Sequence, residues 1–134
     1  MKNTLIVTRN EDVATDKAIE LFRTNKGGIF FSRKKNTEDL VSIMGKSFAT
    51  SIVTDCSSYN EVRQKIENTT TEVQFIVLDF IQLFKQGSIA ELMTFLNEKD
   101  IKLIAVAWVN KEGQIREISN ENISGLFENI IKFI

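Results

Sequence analysis

"VQFIVLDFIQLF", residues 73 to 84, is an almost unbroken apolar run interrupted by one carboxylate, Asp79, with Gln82 three residues later. Its centre, "FIVLD" (75–79), has the β-branched and aromatic content of a strand. Its lack of polar alternation reads as a strand buried on both faces. Working outward from this run, "TLIVT" (4–8), "GIFFS" (28–32), "ATSIVTD" (49–55) and "IKLIAVAWV" (101–109) have the same character. Helical periods separate them. One helix is expected at about 12–24, with Ala14, Ala18, Leu21 and Phe22 on one face, stopped by "NKGG" as glycine stops a helix. A short one is expected at 37–44, ended by Gly45. Ser58 with Glu61, and Ser88 with Glu91, have the capping-box spacing and open two more. Their inner faces carry Tyr59, Val62 and Ile66, and Ile89, Leu92, Met93 and Leu96. The tail reads as a loop or hairpin arm, "KEGQIREI", followed by a final strand in "FENIIKFI". Doubly buried strands alternating with helices predict a mainly parallel sheet of five to six strands, covered on both sides.

The composition narrows the classes of function. A chain of 134 residues is the size of one domain and can bury a core without staples. Lys plus Arg number 17 against 18 acids, a balance that argues against a strongly basic nucleic-acid surface and leaves room for a local patch. No His and a single Cys56 argue against a zinc site, and against a nucleophilic cysteine with a histidine base. A lone cysteine and no signal-peptide pattern point to the reducing cytoplasm. No apolar run reaches the roughly 20 residues that span a bilayer, so no membrane partner is expected.

Ligands of open parallel sheets bind beyond the carboxyl ends of the strands, so the segments after each strand are the ones to inspect. "RNEDVATDKA" follows the first strand. It has no glycine to let backbone N–H groups approach a phosphate, and it carries Glu11, Asp12 and Asp16. Lys17 there reads as a solvated helix residue. After the second strand, Arg33, Lys34 and Lys35 form either a solvated loop or a contact for an acidic partner or a phosphate. Asp79 is either a metal-linked carboxylate or a cap on the following turn. Trp108 reads as core or rim packing, and Asn110 as the start of a turn.

Taken in order, these segments resemble the RecA-type motor domain of DnaB-family replicative helicases. "FIVLDFIQLF" is similar to that family's Walker B segment: Asp79 matches the magnesium-linked aspartate, Phe80 replaces a tyrosine, and Gln82 and Leu83 match directly. "GIFFSRKKNTEDLV", "IVTDCSSYNEVRQKI", "IAELMTFLNEKDIKLIAVAWVNKE" and "ISGLFENIIKFI" resemble further segments of that domain, collinear from about residue 3 onward. The resemblance implies a three-layer α/β/α RecA-like domain of the P-loop NTPase type.

The departures from the family imply that the chemistry has been lost. Where the family has Gly-x-x-x-x-Gly-Lys-Thr this chain has "RNEDVATD", with Thr15 at the lysine and Asp16 at the magnesium-binding hydroxyl. Lys34 stands in place of the catalytic glutamate and Trp108 in place of the phosphate-sensing glutamine. The family's N-terminal domain, and its later segment with an arginine finger, have no counterpart in this sequence. These losses imply no catalytic residues, no cofactor and no metal, with Asp79 and Gln82 as vestiges of Walker B. The resemblance further implies a replication-associated binding or regulatory protein, of the phage or mobile-element kind. Its partner would be a replicative helicase, a loader or a second copy. The alternative is weak binding of DNA or nucleotide through Arg33, Lys34, Lys35, Lys85 and Lys111, without the aromatic platform that strong single-strand binding uses.

Overall fold

The structure, a computed structural model, describes residues 1–32, 53–55, 58–84, 88–112, 115 and 123–133. Its strands are β1 (Thr4–Thr8), β2 (Gly28–Ser32), β3 (Val53–Asp55), β4 (Phe75–Asp79), β5 (Lys102–Trp108) and β6 (Asn129–Phe133). Its described α-helices are α1 (Glu11–Thr24), α2 (Tyr59–Glu67) and α3 (Ile89–Glu98). All six strands join one sheet in the order β3-β2-β4-β5-β1-β6, and every pairing is parallel. Each strand falls where its apolar run predicts, including the final strand. Of the third predicted strand, 53–55 lie within the described residues. The predicted helix at 37–44 lies outside them. Within "KEGQIREI" the described residues are Lys111 and Glu112, in a turn, and Ile115, in an isolated antiparallel bridge with Val109.

β1 and β4 are buried along their whole length, as strands covered by helices on both faces must be. Alternation then sorts the side chains into two cores. Ile6, Phe30, Phe75, Val77, Ile104 and Val106 pack with α1. Leu5, Val7, Ile76, Leu78, Leu103 and Ala105 pack with α2 and α3 on the other face. The result is a three-layer α/β architecture of the broad P-loop or Rossmann-like type.

α1 buries Ala14, Thr15, Ala18, Ile19 and Phe22. Leu21, predicted on the inner face, is half-buried and packs against the edge of this core, and the stripe also takes in Thr15 and Ile19. Phe22 meets Phe30 and Phe75 edge-on, at centroid distances of 5.5 and 6.0 Å. "NKGG" acts differently from the glycine stop predicted for it. Asn25 ends the helix in extended backbone, and its side-chain amide donates to the Leu21 carbonyl at 2.8 Å. Gly27 supplies a positive φ of 81° two residues later, in the turn into β2. Gly28 lies under the Phe75 ring, so close that a Cβ there would sit 2.2 Å from Cζ.

Both predicted capping serines cap. Ser58 Oγ accepts from the Glu61 N–H at 3.1 Å, and Ser88 Oγ from the N–H groups of Ala90 and Glu91 at 3.1 and 3.4 Å. The inner faces of α2 and α3 are the predicted ones, with Phe95 added to α3.

Candidate functional site

The first strand lies inside the sheet, between β5 and β6. α1, which follows β1, covers one face. The turn Ile123–Leu126, which follows β5, packs into the core of the other. The connections from these two neighbours therefore diverge, and their carboxyl ends form the switch point at which open α/β sheets hold ligands.

Two residues, Arg9 and Asn10, link β1 to α1. The Thr8 hydroxyl lies 2.7 Å from both the Asn10 N–H and its carbonyl. Asn10 caps the helix: its Oδ1 accepts from the Val13 N–H at 3.3 Å and its carbonyl from the Ala14 N–H at 3.2 Å. Arg9 donates its N–H to the Phe133 carbonyl at 3.2 Å. Its guanidinium reaches across the switch point to the Lys111 carbonyl at 2.7 Å, while the Val109 N–H donates to the Thr8 carbonyl at 3.0 Å. These two bonds tie the β1–α1 connection to the segment that follows β5. Glu11 and Asp12 stand in the first turn, where carboxylates complement the helix dipole.

Asp79 ends β4 and is fully buried. Thr15, also buried, points down from α1 and donates its hydroxyl to Asp79 Oδ1 at 3.3 Å. The backbone then leaves the strand through Phe80 at φ 69°, a conformation that costs a bulky residue energy. Packing holds it there: the ring is fully buried and stacks on Trp108 at 4.1 Å, 23° from parallel. Gln82, in the 3-10 turn Ile81–Leu83, sends its side-chain amide to the Trp108 backbone. Its Nε2 donates to the Trp108 carbonyl at 2.9 Å, and its Oε1 accepts the Trp108 N–H at 3.2 Å. Tyr59 closes the same turn from α2, donating its hydroxyl to the Ile81 carbonyl at 2.8 Å.

Of the residues predicted to carry a site, Asp79 ends β4 and Gln82 lies in the turn that follows it, and they serve different partners. Lys111 is exposed at the same edge. Arg33, Lys34, Lys35 and Lys85, and also Cys56, lie outside the described residues. "RNEDVATD" is mostly the first turns of α1 rather than a loop: Thr15 faces inward to Asp79, and Asp16 outward to solvent. Lys17 is a helix-surface residue, 3.4 Å from Glu20. Trp108 packs at the rim, half-buried. The part played by Tyr59 was not legible beyond its place on an inner helical face.

Among the described residues no group of three or more Cys, Asp or Glu side chains could hold a metal ion. No described helix is long and apolar enough to cross a membrane. A polar depression of about 550 Å³ lies at the opposite end of the sheet, lined by Asn25, Lys26, Gln74, Lys99 and Lys102 among others. That is the amino edge, away from the switch point.

In architecture the chain is therefore a parallel α/β domain of the P-loop or Rossmann-like type. No protein-family model matches it, and no curated protein matches it.

Proposed function

We propose that this chain is a RecA-like module, related by descent to the motor domain of DnaB-family helicases, that binds other proteins and hydrolyses no nucleotide. Support for the descent comes from the collinear sequence resemblance and from the aspartate at the end of β4. The single observation that carries the loss of chemistry is the contact between Thr15 and Asp79 beneath a two-residue connection.

A phosphate loop needs a glycine-rich segment whose N–H groups converge on the anion, and a lysine for the terminal phosphates. Here the N–H groups of Arg9, Asn10, Val13 and Ala14 already have acceptors within the protein. The next side chains are Glu11 and Asp12, which repel phosphate. The carboxylate that would serve magnesium is buried under α1. These residues do not fit a magnesium-bound nucleotide. Phosphoryl transfer consists almost wholly of positioning and charge neutralisation, so no such step is drawn through them.

Isothermal titration with Mg-ATP is expected to give no saturable heat; micromolar binding would overturn the reading. Tagged chain is expected to retain a purified replicative helicase or its loader. The alternative rests on exposed Lys111, together with Arg33, Lys34, Lys35 and Lys85, which lie outside the described residues. Single-stranded DNA binding that falls steeply with added salt would favour it instead.

A further inference from the structure

We propose that β6 is a detachable strand: it leaves β1 as a unit, hinged at Glu128, while the rest of the sheet and its helices stay folded. Its release uncovers one side of β1 as a new sheet edge. This movement is independent of whether the chain once held a nucleotide.

β6 ends the sheet order and, among the described strands, pairs with β1 alone. None of its five side chains is buried outright: Asn129, Ile130 and Lys132 are exposed, and Ile131 and Phe133 half-buried. β1, against which it lies, is buried throughout. Main-chain hydrogen bonds therefore hold β6 more than apolar packing does. Segments of that kind open at a lower free energy than the whole molecule.

The residues just before β6 are anchored elsewhere. Ile123 and Phe127 are buried in the core under α2 and α3, whereas Ile131 and Phe133 lean on the edge of the α1 core. Glu128 lies between the two sets in an exposed bend. A hinge there lets Phe127 stay in place while residues 129–133 swing out. The N–H groups of Glu128 and Asn129 share the Asn3 carbonyl, each at 3.1 Å, so that carbonyl keeps a donor after Asn129 has left.

β1 serves its two neighbours with alternate residues, because main-chain groups along a strand point to opposite sides in turn. Asn129 donates to the Asn3 carbonyl and Arg9 to the Phe133 carbonyl, so in this register Leu5 and Val7 also turn their N–H groups to β6. Val109 donates to the Thr8 carbonyl, so Ile6 and Thr8 turn theirs to β5. All four residues are buried, yet they report on different strands. Opening of β6 frees the N–H groups of Leu5 and Val7 and leaves those of Ile6 and Thr8 bonded.

Native-state hydrogen exchange of the full chain, read residue by residue by NMR, tests this. Leu5 and Val7 are expected to share the protection of Ile131 and Phe133, at least about a hundredfold below that of Ile6 and Thr8. Low urea should barely change exchange at Leu5 and Val7, since a five-residue strand exposes little surface, and should steeply speed it at Ile6 and Thr8. Val62→Ala trims a buried side chain of α2, a helix that stays folded when β6 opens. The variant should lower protection of Ile6 and Thr8 by about tenfold or more and leave Leu5 and Val7 unchanged. Equal protection at all four β1 residues, one urea dependence for all four, or a variant that lowers all four alike would overturn the proposal.

Discussion

Gln82 shows how one side chain completes a sheet. The ladder between β4 and β5 stops at Leu78 opposite Ala105, because the chain turns away at Phe80, while β5 runs on to Trp108. The Gln82 amide is chemically a peptide group, and it occupies the position a further β4 residue would have filled. Gln82→Ala is expected to cost about 1–3 kcal/mol, because two backbone groups of a half-buried residue lose their partners. Trp108 is the one tryptophan in the chain, so the same variant should shift the emission to the red as well as lower the urea midpoint. Unchanged emission and midpoint would show that the amide holds nothing. The sequence marked Gln82 by its neighbours in a motif, yet nothing local could say that its amide would be used 26 positions away. Thr15 left a better trace. A hydroxyl within the stripe of Ala14, Ala18 and Ile19 needs a buried acceptor, and Asp79, at the end of a strand apolar on both faces, is one.

At the scale of elements, the starts of helices were easier to read than their ends. Ser58 and Ser88 signal α2 and α3 because a capping hydroxyl acts within three residues of itself. The end of α3 carries no glycine, yet it closes as a Schellman motif. The Ile101 N–H donates to the Leu96 carbonyl at 2.9 Å, and the Asp100 N–H to the Asn97 carbonyl at 3.2 Å. Leu96 and Ile101 are both buried in one core, which supplies the apolar contact that accompanies such a cap. The cap demands a left-handed residue, and Asp100 fills it at φ 56° while exposed to solvent. Asp100→Gly is therefore expected to stabilise the protein by about 0.5–1 kcal/mol, measurable as a higher urea midpoint with the same slope. A lower midpoint would mean that the aspartate side chain contributes more than its backbone costs. For α1 the sequence placed the stop correctly and assigned it to the wrong residue, because Asn25 can cap through its side chain where a composition rule looks only for glycine.

For the whole molecule, the order of strands matters more than any single contact. β1 pairs with β5 and β6, and both core layers rest on it. Neither layer can come apart without breaking the shared sheet. Far-UV circular dichroism and Trp108 fluorescence are therefore expected to report one coincident urea transition; two separate midpoints would contradict this. The sequence made the parallel class of the sheet legible, since doubly apolar strands admit few alternatives. It did not show which strands are neighbours, because the pairing is decided by helix packing over long separations. That placement of β1 bears on the protein's birth as well. The first strand leaves the ribosome some hundred residues before β5. At roughly 5–20 residues per second this is a wait of about five to twenty seconds. Through that interval "TLIVT" has α1 for cover and no strand on either side, which makes it the stretch of the nascent chain that most needs a chaperone's shelter.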